Sequence, residues 1–254
     1  MRVLLQTMDH AAQYKYAQEY LISKIKKDDA YKVIIFSSPH EKESAFKKFL
    51  KYKKRKKLFS LTKNIIGRLL YKKYINIFST KTDKINLLIN REIANVDIKS
   101  YKVNNEKDAK EIIEDFKPDR VVVIGSPFLS KNYFIDNIEY INLHIGMIPE
   151  YRGLKCLEWA ILNSEPKEVG YSIHSMTPRL DHGDILEKQR IDFENLSLSE
   201  IYAKAYLSGI KSTIDLSMQE KLEPIQKISN KGCVYYTIDF TGYEAKKLTK
   251  KIKI

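Results

Sequence analysis

The sequence is poor in the residues that mark most specialised protein classes. Nine Gly and seven Pro among 254 residues exclude a collagenous chain and leave no room for a low-complexity disordered class. Two cysteines, Cys156 and Cys233, are too few for a disulfide framework and too far apart for a zinc pair, which predicts buried or free thiols in a reducing compartment. No apolar run reaches the length of a bilayer span, so no integral membrane segment is expected. The opening MRVLLQTMDHAAQYKY turns polar after Leu5 and reads as no secretory leader, which makes the cytoplasm the expected location. The histidines form no metal-ligand spacing such as HExxH and no Cys supplements them, so no metal is expected. The first turn, QTMDHA, lacks the Gly-rich pattern of a dinucleotide or P-loop site, which argues against a nicotinamide-dependent oxidoreductase.

What the chain has in excess is lysine. Lys and Arg number 45 against 32 Asp and Glu, a formal charge of +13. Clustered cations bind phosphates by counterion release, but Lys, Ile, Asn and Tyr are abundant throughout, as an AT-rich coding sequence would make them. No nucleic-acid partner is expected, whereas a smaller anionic substrate fits.

Apolar periodicity gives the architecture. RVLLQ at the start and KVIIFSS at 32–38 read as strands around a helix over 10–27. From 97 onward, DIKSYKV reads as a strand, NEKDAKEIIEDF as an amphipathic helix, RVVVIGS as a fully buried strand and YINLH at 140–144 as the next strand. This alternation predicts a parallel sheet wound on both faces, with ligands beyond the carboxyl ends of the strands, where Gly125, Ser126 and His144 fall. Residues 40–94 hold a Lys-rich stretch with apolar residues every three or four, read as a helical insertion. Its bland role is a solvated basic helix over the sheet edge; its functional one is a surface for phosphates or anionic lipid. SLSEIYAKAYLSGIKSTIDLSM predicts one more amphipathic helix, and the tail from 223 to 254 a short C-terminal extension to a domain spanning 1–222.

Chemistry concentrates between Asn142 and Ile185, in NLHIGMIPEYRG, LEWAILN, GYSIH and LDHGDI. Asn142 and His144 are two apart on a strand, so an amide donor and an imidazole face the same site at its exposed end. Asp181 precedes a tight HGD turn and can orient or charge that imidazole. His10, His40 and His182 are expected to be structural, Trp159 to be core, and Asp184 to be the wrong carboxylate of its pair.

These segments resemble the folate-dependent formyltransferases, whose signature opens with Asn-x-His, continues into a loop with Leu-Pro-x-Tyr-Arg-Gly, and later carries Thr-x-His and Leu-Asp-x-Gly. The likeness is good over residues 117–190. It implies a Rossmann-like formyltransferase core and an enzyme that moves a formyl group from 10-formyltetrahydrofolate to an amine. By position it makes Asn142, His144 and Asp181 the catalytic trio. It places the folate at Ser126, Pro127, Phe128 and Leu129, with Asp181, and the acceptor near Tyr151, Arg152, Gly153 and His174. Attack on the formyl carbon would create an oxyanion to which Asn142 can donate, while His144 can stabilise charge or move a proton. The chain departs from the signature at Ile145, Gly146 and Met147, where the family has Pro-Ser-Leu, and at Ser172 in place of Thr.

Within the resemblance, the tail after residue 222 is shorter than the β-rich domain that methionyl-tRNA formyltransferases add, and QTMDHA is not the Gly-Ser-Asn phosphate loop of the glycinamide ribonucleotide enzymes. Elimination leaves the sugar-nucleotide N-formyltransferases, with a nucleotide-linked amino sugar for surface polysaccharide as the expected partner. A methionyl-tRNA or hydroxyornithine type of acceptor, or a non-catalytic basic binding protein, are the alternatives; a homodimer is left open. Replacing several lysines between Lys47 and Lys57 with Gln should leave turnover at saturating substrate unchanged, because exposed lysines aid encounter rather than bond making. A steady-state assay showing a large fall in the saturated rate, with the fold intact, would mean that the insertion reaches the active site.

Overall fold

A computed structural model describes residues 1–9, 12–37, 58–74, 81–94, 98–228, 232–236 and 239–254. Its centre is a seven-stranded sheet containing β1 (Arg2–Met8), β2 (Ala30–Phe36), β3 (Tyr101–Val103), β4 (Arg120–Ile124), β5 (Glu139–His144), β7 (Gly170–Ser175) and β8 (Ile185–Arg190). The strands lie in the order β3, β2, β1, β4, β5, β7, β8. The expected parallel, doubly wound sheet holds from β3 to β5. It fails at β7 and β8, which run antiparallel. The β7–β8 connection is a loop with no crossover helix, and such a connection can only return the chain antiparallel. The strand read from DIKSYKV is confined to its last three residues.

β4 is buried along its whole length because both sheet faces are covered. Val122 and Ile124 enter one core with α1 (Ala12–Lys24), α3 (Lys81–Asn90) and α6 (Leu198–Ser217), while Val121 and Val123 enter a second core under α4 (Glu106–Phe116). The start of α4 is fixed by Asn105, whose side chain accepts from the Asp108 N–H, and its end by Lys117 in the left-handed region. A capping box of Ser197 and Glu200 starts α6.

The insertion contains α2 (Leu58–Leu70) and α3, and Lys47–Lys57 lie outside the described residues. Helix α3 is more than a solvated cover. It buries Ile85 and Ile89 against α1 and α6, so part of the insertion belongs to the main core. The 223–254 segment also returns to the body of the protein. Its strand β9 (Cys233–Tyr235) pairs with β6 (Tyr151–Gly153), and α7 (Gly242–Leu248) packs against α2 and α5 (Cys156–Leu162). Lys251 donates to the carbonyls of Ile161 and Leu162 at the end of α5, at 3.2 and 2.7 Å.

A fully buried carboxylate ties the insertion to α5. Glu158 accepts from Lys81 of α3 at 2.7 Å and from the Tyr202 hydroxyl of α6 at 2.5 Å, with Lys155 at 3.6 Å. Burial alone would raise its pKa, but the charges of Lys81 and Lys155 and the two hydrogen bonds outweigh this and hold it at about 2. A carboxyl lowered on folding contributes stability above its ordinary value of 4.5, and that contribution is lost as pH falls towards 2. Glu158→Gln should therefore unfold in urea with a loss of about 3 kcal/mol at neutral pH. It should also show a shallower fall in stability than the parent between pH 4.5 and 2, and an unchanged acid dependence would refute the assignment.

Candidate active site

Both side chains anticipated on β5 reach one cleft of about 420 Å³ at the carboxyl end of the parallel strands. The antiparallel register brings Asn142 opposite His174 and His144 opposite Ser172. Asn142 lies 3.1 Å from His174 Nε2, and His174 Nδ1 lies 2.7 Å from the Ser175 carbonyl. A carbonyl can only accept, so Nδ1 carries the proton and Nε2 accepts from the Asn142 amide. Burial lowers the His174 pKa from 6.5, which keeps the ring in this neutral form. One of the two Asn142 N–H groups is thus engaged.

His144 is 6% exposed and bonds through Nε2 to the Tyr151 carbonyl at 3.0 Å, so its Nδ1 is the nitrogen facing Asp181. The Asp181 carboxylate stands 3.5 Å from His144 Nδ1 and 3.9 Å from His174 Nε2. The Gly153 N–H holds it at 2.7 Å. Gly153 adopts φ +92°, and a Cβ there would come within 2.1 Å of the Tyr235 carbonyl, so the β6–β9 pairing admits no side chain at this point. Asp184 is occupied elsewhere, by Lys227 at 2.6 Å and the Ile228 N–H at 3.1 Å, and the Lys227 hydrogen bond holds its carboxyl below the ordinary range.

The loop after β5 is organised by Ser172, which donates to the Gly146 carbonyl at 2.9 Å and accepts from the Ile148 N–H at 3.1 Å. Gly146 sits so close to its neighbours that a Cβ would lie 2.5 Å from Cys156 Cβ and 2.7 Å from His144 Nε2. The departure from Pro-Ser-Leu at this loop therefore goes with Cys156 filling the space beside the imidazole.

Ser126, Pro127, Phe128 and Leu129, expected on the folate side, all line the cleft. Leu129 is buried in the second core, whereas Phe128 is 68% exposed at the rim. Ser130 anchors this loop to Glu106 at the start of α4 through its N–H at 3.0 Å and its hydroxyl at 2.6 Å. Of the expected acceptor-side residues, Gly153 and His174 line the cleft, and Tyr151 and Arg152 do not. The Tyr151 hydroxyl is held by Glu165 and Asn163 at 2.6 and 2.9 Å, and Arg152 is 9% exposed. Trp159, expected in the core, is only partly buried and stacks on Tyr235, with ring centroids 4.7 Å apart. His10 and His40 lie outside the described residues.

Sequence reasoning missed the far wall, formed by Met176, Arg179 and Leu180 of the β7–β8 loop, by Tyr235 at the end of β9 and by Tyr236 just past it. The β7–β8 loop residues sit directly between SIH and LDHGDI, and that adjacency was a usable signal. Nothing local tied the two tyrosines to the site, because a pairing between distant strands delivers them. Among the described residues, no group of three or more His, Cys, Asp or Glu is placed to hold a metal.

An Asn, two His and an Asp thus gather at an open sheet end, beside an apolar-walled cleft. Residues 72–207, more than half of the chain, match the family model described as formyl transferase, and the chain belongs to that family. The methionyl-tRNA formyltransferase of Clostridium tetani is 28% identical over 148 residues, covering 56% of this chain and 47% of that protein. The bifunctional polymyxin resistance protein ArnA of Wigglesworthia glossinidia brevipalpis is 31% identical over 122 residues, covering 46% of this chain and 17% of that one. The chain thus spans about half the length, or less, of the curated relatives it matches. Among solved structures, an N-formyltransferase from Helicobacter canadensis in complex with folinic acid and dTDP-3-aminofucose aligns over 98% of this chain and 79% of its own, with a TM-score of 0.57 and 14% identity. A 4-N formyltransferase from Francisella tularensis aligns over 93% and 77%, with a TM-score of 0.56 and 19% identity. These likenesses show a shared Rossmann-like formyltransferase fold.

The hydrogen bonds of His174 make a direct prediction for NMR. Its imidazole should show the neutral Nδ1–H pattern in nitrogen shifts and remain neutral below pH 6.5. A ring that protonates at or above that pH, or that carries its proton on Nε2, would contradict the proposed link to Asn142.

Proposed function

We propose that this chain transfers a formyl group from 10-formyltetrahydrofolate to the amine of a nucleotide-linked amino sugar, working in the cytoplasm towards surface polysaccharide. The carrying observation is the Asp181 carboxylate between His144 Nδ1 and His174 Nε2, beside an Asn142 amide with one N–H unengaged, in a member of the formyl transferase family.

The cleft suits a flat ring system: Leu129, Phe134 and Met176 supply apolar walls, and its volume of about 420 Å³ falls in the ordinary range for ligand pockets. 10-Formyltetrahydrofolate supplies the activated carbon. The remaining work falls to the side chains. As the amine attacks, negative charge grows on the formyl oxygen, and the second Asn142 N–H is placed to donate to it. His144 Nδ1, paired with Asp181, accepts the proton that the amine must shed and returns it to the departing folate nitrogen as the donor's formyl C–N bond breaks, and the carboxylate stabilises the intervening imidazolium. His174 fixes the Asn142 amide and is a positioning residue.

Support for an amino-sugar nucleotide comes from the far wall. Tyr236 brings an aromatic ring to the cleft for a base, and Arg179 offers a cation for phosphate. The Helicobacter canadensis protein of similar fold was solved with dTDP-3-aminofucose, which suits this reading. The sequence relatives named as methionyl-tRNA formyltransferases favour a second reading, formylation of an aminoacyl-tRNA.

Asn142→Ala and His144→Ala should each lower kcat by about a hundredfold or more without unfolding the chain, since each removes transition-state stabilisation. Near-parental turnover by either purified variant would remove it from the chemistry. A panel of nucleotide-linked amino sugars, free amino sugars and methionyl-tRNA, followed by mass spectrometry, separates the acceptors. One added formyl on the sugar nitrogen of a nucleotide-linked substrate, with the free sugar far slower, is the expected result. Formylation of methionyl-tRNA with no turnover of the sugar nucleotides would overturn the acceptor assignment.

A further inference from the structure

Helix α2 has two unlike sides. One packs on α7, with Lys63 ion-paired to Glu244 at 2.5 Å, Gly67 against Gly242, and Tyr71, just past the helix, edge-on to Tyr243 at 4.8 Å between ring centroids. The other presents Ile65, Ile66, Leu69 and Leu70, exposed by 53, 48, 78 and 64%. Their spacing puts all four on one stripe of two turns. Exposed Lys72 and Lys73 follow directly. From Phe46 to Thr82 the sequence carries thirteen Lys and Arg and not one Asp or Glu.

We infer that α2 docks this protein peripherally on an anionic lipid surface, with Ile65, Ile66, Leu69 and Leu70 entering the headgroup boundary and Lys72 and Lys73 facing the lipid phosphates. Four adjoining aliphatic side chains on a surface helix are too large an apolar patch to be incidental, and water is a poor medium for them. The charge around the patch selects the occupant. A second copy of the chain would bring Lys72 and Lys73 of each α2 end face to face, which opposes self-association. RNA would satisfy the lysines but leave the aliphatic stripe without a counterpart, because nucleic-acid sites pair cations with stacking or hydrogen-bonding side chains. An interface of anionic headgroups over acyl chains satisfies both parts of the helix at once. No helix among the described residues is long and apolar enough to cross a membrane, so the attachment is peripheral and reversible. This inference does not depend on the formyl-transfer reading, since α2 supplies no side chain to the cleft.

Vesicle co-sedimentation tests it. The intact chain should bind vesicles of equal parts phosphatidylglycerol and phosphatidylcholine at about 0.1 M salt and not bind vesicles of phosphatidylcholine alone. Lys72→Gln with Lys73→Gln should weaken binding roughly fivefold per lysine removed. Leu69→Gln with Leu70→Gln should weaken it by at least about tenfold. Both pairs are exposed, so thermal unfolding should match the parent, and a matched melt separates lost docking from lost fold. Absence of binding to the anionic vesicles would overturn the inference. So would binding indifferent to the leucine pair, a parental dimer dissociated by that pair in sedimentation velocity, or RNA binding with the same leucine dependence.

Discussion

The Asp181 carboxylate is the group around which the site is assembled. It is nearly enclosed, accepts the Gly153 N–H, and faces a nitrogen of each of two imidazoles. A charge so placed needs partners on every side, and each partner comes from a different part of the chain. His144 comes from the last parallel strand, His174 from the antiparallel strand beside it, and Gly153 from the small β6–β9 sheet. The carboxylate itself rides on a residue at φ +44°, a backbone conformation that Asp tolerates better than most residues. The polarity change from parallel to antiparallel between β5 and β7 is therefore a requirement of the site. It puts Asn142 and His174 in register, so that the buried neutral imidazole holds the Asn142 amide at the cleft.

Much of this was legible in the sequence because it is local. Short apolar runs marked β1, β2, β4 and β5, and the spacing of Asn142 and His144 fixed their common side without any knowledge of the fold. Distant contacts were illegible for the complementary reason. The pairing of β9 with β6, which brings Tyr235 over Gly153 and under Trp159, depends on backbone groups far apart in the chain and leaves no periodic trace. The Glu158 cluster is similar, since Lys81 looks like one more solvated lysine until α3 is seen to pack beside α5 and α6. Tyr151 and Arg152 show the converse error. A motif loop identified where the site is, but the Tyr151 backbone carbonyl, rather than its ring, serves His144.

The insertion divides into two physical roles. Helix α3 contributes Ile85 and Ile89 to the main core and Lys81 to the buried charge cluster, so it belongs to the folded body. Helix α2 leans on α7 by one side and leaves an aliphatic stripe to solvent within a stretch of unmixed positive charge. The lipid contact inferred for α2 leaves free the cleft, which opens at a different place, beyond the ends of the parallel strands.

In the proposed reaction, Asp181 acts as a charge through His144. The most direct test is the pH profile of kcat/KM for formyl transfer by Asp181→Asn beside the parent, with thermal unfolding of both recorded. Asparagine keeps the size of the side chain and can still accept from the Gly153 N–H, so the loop should hold while the charge is lost. Asp181→Asn should lower kcat/KM by about a hundredfold or more and give a profile of different shape. A folded variant with the parental rate and the parental profile would contradict it.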